Sequence, residues 1–230
     1  MKIGIIGAME EEIKLLKEKL QERTSWTRAG ISFYKGNIGK HEIVLVQSGI
    51  GKVQAALTTS LLIQEFGVNA IVNTGSAGGV GSGLSVGDLV IGDKNAYFDV
   101  DVTGFGYAYG QLPAQPLYFE ASKYLLMSME EAAEKSSLHT NRGLIVTGDS
   151  FVHAPSKVLE IKEHFPDVLA VEMEGAAIAQ VAHQFGIPFL VIRAMSDTAD
   201  HKATQSFDEF IVEAGKRSGE MVLKFLEIVK

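Results

Sequence analysis

Leu169-Ala170-Val171-Glu172-Met173-Glu174-Gly175-Ala176-Ala177 is the stretch on which the fold turns. The apolar run Val168 to Val171 predicts a buried strand, and the alanine-rich run Ala176 to Phe185 predicts a helix. Two carboxylates flank a methionine at the join. On an extended chain Glu172 and Glu174 leave on the same side. Charges set in so much apolar sequence are costly to bury alone. They are paired, with Arg193 on the next apolar run as a natural partner, or they hold a ligand. The residues leave both readings open.

Outward from this join, strands and helices alternate. Lys2 to Gly7 is an apolar strand, and Met9 to Leu20 a helix with Ile13, Leu16 and Leu20 on one face. Ile31 to Lys35 and Glu42 to Gln47 read as an antiparallel hairpin turning near Gly39, so the sheet is expected to be mixed. Val53 to Phe66 is a helix, and Ala70 to Asn73 a short buried strand. Leu89 to Ile91 and Ala96 to Val100 are strand-like. Gly104 to Pro116 has no period, and a loop this long usually serves a site or an interface. Helix Ala121 to Glu134, strand Gly143 to Thr147 and a short helix opened by Pro155 follow. Strand Pro188 to Ala194 precedes a last helix from about Ser206, with Phe207, Phe210, Ile211, Ala214, Met221, Val222, Phe225 and Ile228 on its apolar face.

This order indicates a layered α/β fold in a single domain, 1–230, without linker or low-complexity tract. Polar clusters fall after Gly7, Asn73, Thr147, Val171 and Ala194. Ligands of such folds bind beyond the carboxyl ends of strands, so one shared site is expected.

Composition narrows the function. The chain has no cysteine, which removes disulfides, thiolate nucleophiles and cysteine metal sites and fits a reducing, cytoplasmic compartment. Its six histidines are scattered without metal-ligand spacing, so no metal is expected. A net charge of −7 argues against nucleic acid. No signal segment is recognisable, and no apolar run approaches the roughly 20 residues a membrane helix needs.

The glycine motifs resist nucleotide readings. Gly4-Ile5-Ile6-Gly7 lacks the dinucleotide spacing, and three glutamates, Glu10 to Glu12, follow where a phosphate would want bare N–H groups. Glu10 and Glu11 complement the helix dipole, whereas Glu12 can face the strand end. Gly49-Ile50-Gly51-Lys52 lacks Walker spacing. Gly75-Ser76-Ala77-Gly78-Gly79 offers either a backbone surface for a flat ligand or a turn needing positive φ. Phe151 suits stacking on a base, and Asp197 follows Met195-Ser196 at a strand end. Carboxylates, an aromatic, a glycine platform and one arginine suit a neutral, hydroxyl-rich substrate with a flat ring.

Five blocks carry a resemblance along the whole chain. They are Gly4 to Glu12, Asn73 to Gly79, Gly148-Asp149-Ser150-Phe151, Val171 to Ala177 and Arg193 to Asp197. In these the chain closely resembles the 5'-methylthioadenosine/S-adenosylhomocysteine nucleosidases of the purine nucleoside phosphorylase superfamily. The resemblance implies a three-layer α/β/α fold with a central mixed sheet, a homodimer, no cofactor, and hydrolysis of the N-glycosidic bond of adenine nucleosides. Carried over, Asp197 protonates adenine N7, and Glu12 activates water with help from Ser76 and Arg193. Glu174 binds the ribose hydroxyls over Met173, with Glu172 nearby. Phe151 stacks on adenine, the Val152 backbone reads its edge, and Ala77, Gly78 and Ser196 join the binding set. Met9, Ile50 and Phe207 line the thioalkyl region. Phe105, Tyr107 and Pro113 reach the neighbouring subunit's pocket. A phosphorylase or a non-catalytic nucleoside sensor are the alternatives. The paucity of cations beside Glu12 favours water over phosphate, and the presence of all three acids disfavours a sensor.

Overall fold

The computed structural model describes residues 1–199 and 203–230; His201 lies outside them. Among the described residues, ten strands form one mixed sheet. Strand β1 (Lys2–Gly7) is followed by helix α1 (Glu10–Lys19), β2 (Gln21–Arg28), β3 (Ile31–Ile38), β4 (His41–Gln47) and α2 (Lys52–Gln64). Next come β5 (Ala70–Gly79), β6 (Leu89–Tyr97), a short 3-10 turn (Thr103–Phe105), β7 (Phe119–Glu120), α3 (Lys123–Glu134) and β8 (Thr140–Thr147). The chain ends with α4 (Pro155–His164), β9 (Val168–Glu172), α5 (Gly175–Phe185), β10 (Phe189–Asp197) and α6 (Ala203–Ile228). No described helix is long and apolar enough to cross a membrane.

Helices α1, α3 and α6 pack together on one face, with α6 against β5 and β10; α2 and α5 cover the other. The mixed, layered α/β architecture expected from the alternation is thus present, as is the β3–β4 hairpin in antiparallel register. The sheet also folds back on itself, because β5 pairs with β1, with β10 and, through Gly78 and Gly79, with β9. Strands β5, β10, β6, β8 and β9 therefore close into a ring, from which β1, β4, β3 and β2 extend.

Several expectations are corrected. Strand β5 does not stop at Asn73 but runs through the glycine platform to Gly79, and Gly75, Gly78 and Gly79 do not adopt positive φ. They are glycines because other groups come close: a Cβ on Gly75 would lie 2.6 Å from Glu12 Oε1, and one on Gly78 3.0 Å from Asp197 Oδ1. The two short strands expected over 89–100 are the single strand β6 and its exit. Strand β2 was not expected. It is an edge strand exposed along its length, so it needs no apolar alternation; Trp26 packs edge-on against Phe66. Helix α6 starts at Ala203, and its expected apolar face is buried at Ala214, Met221, Val222 and Phe225, whereas Phe210 is exposed.

Candidate active site

The carboxyl ends of β1, β5, β9 and β10 converge on a cavity of about 400 Å³, lined among others by Met9, Glu12, Ile50, Ser76, Phe151 and Asp197. Each acid reaches it by local rules. Chain direction reverses after Gly7, and Glu12 falls in the first turn of α1, buried against the strand ends. Its Oε2 accepts the N–H groups of Ala8 (2.7 Å) and Met9 (3.2 Å), which caps the helix from within. Its Oε1 accepts both the N–H and the hydroxyl of Ser76, each at 2.9 Å. Four donors thus hold one carboxylate, with Glu10 and Glu11 left to the exposed side.

Glu172 and Glu174 do converge, but not as neighbours on an extended chain. Glu172 ends β9, and Glu174 is already the N-cap of α5, at φ −133° and ψ −37°. Glu172 Oε2 accepts the N–H groups of Glu174 (3.0 Å) and Gly175 (2.8 Å) and pairs with Arg193, while Oε1 accepts the Thr147 hydroxyl. Its lone pairs are therefore filled by the protein. Arg193 Nη2 also donates to Asn73 Oδ1 (2.6 Å), and its guanidinium lies 3.6 Å from Glu174. The salt bridge is present, with Glu172 as its anchor, while Glu174 also lines the cavity. Glu174 Oε1 takes the Gly51 N–H at 2.9 Å, the glycine being at φ +99°, which a side chain would strain.

Asp197 is buried at the end of β10. Its Oδ1 accepts the Ala199 N–H (2.8 Å), and its Oδ2 the Ser196 hydroxyl (2.9 Å). Phe151 is exposed at the mouth, edge-on to Phe207 at 5.8 Å. Glu12, Glu172, Glu174 and Asp197 face only one described buried guanidinium, Arg193. With that one cation already paired to Glu172, the site has little provision for a phosphate.

The phosphorylase superfamily profile matches residues 2–227. A 5'-methylthioadenosine/S-adenosylhomocysteine nucleosidase of Anoxybacillus flavithermus is 49% identical over 223 residues, covering 96% of each chain. The chain belongs to the 5'-methylthioadenosine/S-adenosylhomocysteine nucleosidases.

Solved nucleosidases superimpose closely. The Streptococcus pyogenes enzyme in complex with 5-methylthiotubericidin matches at TM-score 0.98 and 51% identity, over 100% of this chain and 98% of that one. The Streptococcus pneumoniae nucleosidase with a transition-state inhibitor matches at 0.97 and 53%, over the whole of both chains.

Of the residues expected in a nucleosidase site, Met9, Glu12, Ile50, Ser76, Ala77, Gly78, Phe151, Glu172, Met173, Glu174, Ser196, Asp197 and Phe207 line the cavity. Val152 lines a small adjoining recess beside Asp197, and Arg193 lies beneath the acids. Phe105, Tyr107 and Pro113 are not in this chain's own cavity. Ala8, Val171 and Thr204 line it and were missed. Ala8 and Val171 lie within motifs already singled out, but small apolar side chains carry no chemical signal.

Burial pushes the Glu174 carboxyl up from 4.5 to about 8; Glu172 adds to this, Arg193 opposes it, Glu12 adds further, and the Gly51 N–H opposes it. An acid with a raised folded-state value gives stability that is complete below 4.5 and is lost as pH rises toward 8, since the unfolded chain releases this proton first. Glu174→Gln removes the titration. The stability of wild type minus that of Glu174→Gln should therefore fall with pH across this window, by up to about 1.4 kcal/mol per pH unit, and then level off. Urea denaturation at a series of pH values measures it; a difference that grows with pH contradicts the assignment.

Proposed function

We propose that this chain, acting as one domain over residues 1–230, hydrolyses the N-glycosidic bond of 5'-methylthioadenosine and S-adenosylhomocysteine, and of 5'-deoxyadenosine. The products are adenine and a 5-substituted ribose. Asp197 is the general acid that protonates adenine N7, Glu12 activates the water, and Glu174 binds the ribose hydroxyls. The observation that carries this reading is that Glu12 and Asp197 open onto one cavity. Glu12 accepts from Ser76, and Asp197 pairs in register with Gly78, both on β5. Those two strand positions are two residues, roughly 7 Å, apart. Inverting glycoside hydrolysis needs a similar gap, about 6.5–9.5 Å, so that a sugar and a water stand between acid and base.

The bond order follows from the chemistry. Adenine departs poorly as an anion, so a proton at N7 precedes or accompanies cleavage of C1'–N9. The electron pair of that bond leaves with the purine, and positive charge builds on the sugar. The acidic surroundings stabilise that charge. Water, having given its proton to Glu12, closes on C1' from the face opposite the purine. Phe151 and the Val152 backbone suit the adenine ring and its edge. Met9, Ile50 and Phe207 suit the apolar 5' substituent.

Adenine release from methylthioadenosine, with and without phosphate, tests the reaction. Free thioribose should form at the same rate in both; a requirement for phosphate with formation of the ribose 1-phosphate overturns it.

The working unit in this reading is a cytoplasmic homodimer. Support comes from an apolar patch at the start of α2, where Val53 is 78% exposed beside Ile50 and Leu57, and from Phe105 on the 102–116 loop, 85% exposed. A second copy covering that patch would bring this loop to the partner's cavity. Val53→Glu should yield monomer in sedimentation velocity and raise KM about tenfold or more; an unchanged dimer removes α2 from the contact.

A further inference from the structure

Three glycines from three elements crowd Glu12. A Cβ on Gly75 would stand 2.6 Å from its Oε1, and one on Gly7 2.6 Å from Ile13 Cγ2 and 3.2 Å from the Glu12 Cβ. Gly215, in the middle of α6, is distant in sequence and belongs to no motif. A Cβ there would stand 2.5 Å from the Glu11 carbonyl oxygen, 2.9 Å from the Glu11 carbonyl carbon and 3.1 Å from Glu12 Cα. All three are backbone atoms, so no side-chain rotation relieves the contact. Glycine is among the least favourable residues for a helix interior, yet it stands where α6 crosses the first turn of α1.

We infer that Gly215 is a positioning residue for Glu12: its missing side chain lets α6 seat directly on the Glu11–Glu12 backbone and fixes the carboxylate against Ser76. The inference rests on the proposed role of Glu12 as the group that activates water. The neighbouring turn of α6 supplies the second constraint. Ser218 Oγ lies 2.5 Å from the Thr74 hydroxyl and accepts the Gly75 N–H at 3.2 Å. Helix α6 is thereby pinned to the strand that carries Ser76, so a methyl at position 215 must displace α1 rather than α6. Relieving a 2.5 Å contact to ordinary separation needs a shift of roughly 1 Å, and misplacement on that scale can cost about 10²-fold in rate.

Gly219 is a built-in control. It lies one turn further along the same helix and is also buried, but a Cβ there would meet only the Leu15 side chain, at 3.4 Å or more. Gly215→Ala should lower kcat about 10- to 100-fold and raise KM by less, because Phe151, Glu174 and Asp197 sit on other elements and only Met9, at the N-cap of α1, moves with Glu12. Gly219→Ala should stay within about twofold in both. The decisive readout is the double variant: in a Glu12→Gln background, Gly215→Ala should change kcat by less than about twofold, since the group it positions is already disabled. If Gly215→Ala does not accumulate as folded protein, Gly75→Ala presses on the Glu12 carboxylate from β5, its Cβ 2.6 Å from Oε1, and should show the same kcat loss and the same silence beside Glu12→Gln. Wild-type kcat in Gly215→Ala, or losses that multiply in the double variant, overturn the inference and leave the role of Glu12 intact. Undiminished turnover in Glu12→Gln alone overturns that role instead.

Discussion

Asp197→Asn should lower adenine release by about 10²- to 10⁴-fold while the protein stays folded and still binds the nucleoside. The fold should tolerate the change because asparagine keeps the oxygen that accepts the Ala199 N–H, and the Ser196 hydroxyl, now facing an amide NH₂, can turn and accept from it. What is lost is the proton that the purine needs on departure. Single-turnover release of adenine, beside a thermal melt and a binding isotherm, separates these effects. Turnover within tenfold of wild type would remove Asp197 from the leaving-group step.

Glu12→Gln should produce a loss of similar size but with a different companion effect. Four donors converge on this carboxylate, and glutamine has one oxygen to offer them. If that oxygen stays on Ser76, the amide NH₂ confronts the N–H groups of Ala8 and Met9; if it turns, it confronts Ser76. Stranding buried donors costs on the order of 1–3 kcal/mol. Chemical denaturation should therefore show Glu12→Gln destabilised where Asp197→Asn is not, with kcat down about 10²- to 10⁴-fold in both. A Glu12→Gln variant with full activity, or with no loss of stability, contradicts the arrangement.

Much of this was legible because each element carries its own signal. The apolar run to Val171, the alanine-rich start of α5 and the polar clusters at strand ends together located the site. Isolated motifs were ambiguous for a physical reason. A stretch such as Gly75 to Gly79 has the same composition whether its glycines serve a turn or a close approach, and only the approaching atoms, here on Glu12 and Asp197, decide between them. Strand β2 escaped because an exposed edge has no buried face to imprint a period on Gln21 to Arg28. The alternation argument misjudged Glu172 and Glu174 because it assumed an extended chain where a helix had already begun. Gly215 was invisible for the complementary reason: its meaning lies wholly in what crosses over it.

Strand β5 carries one further consequence. Because Glu12 accepts from Ser76 and Asp197 pairs in register with Gly78, their attachment points on β5 are spaced by strand divisions of roughly 3.3 Å. The spacing of those attachment points changes only in whole residues. A single-residue insertion between Ser76 and Gly78 would lengthen it by one division and also turn one of the two contacts to the wrong side of the sheet, so this segment should accept substitutions of suitable size but no change of length.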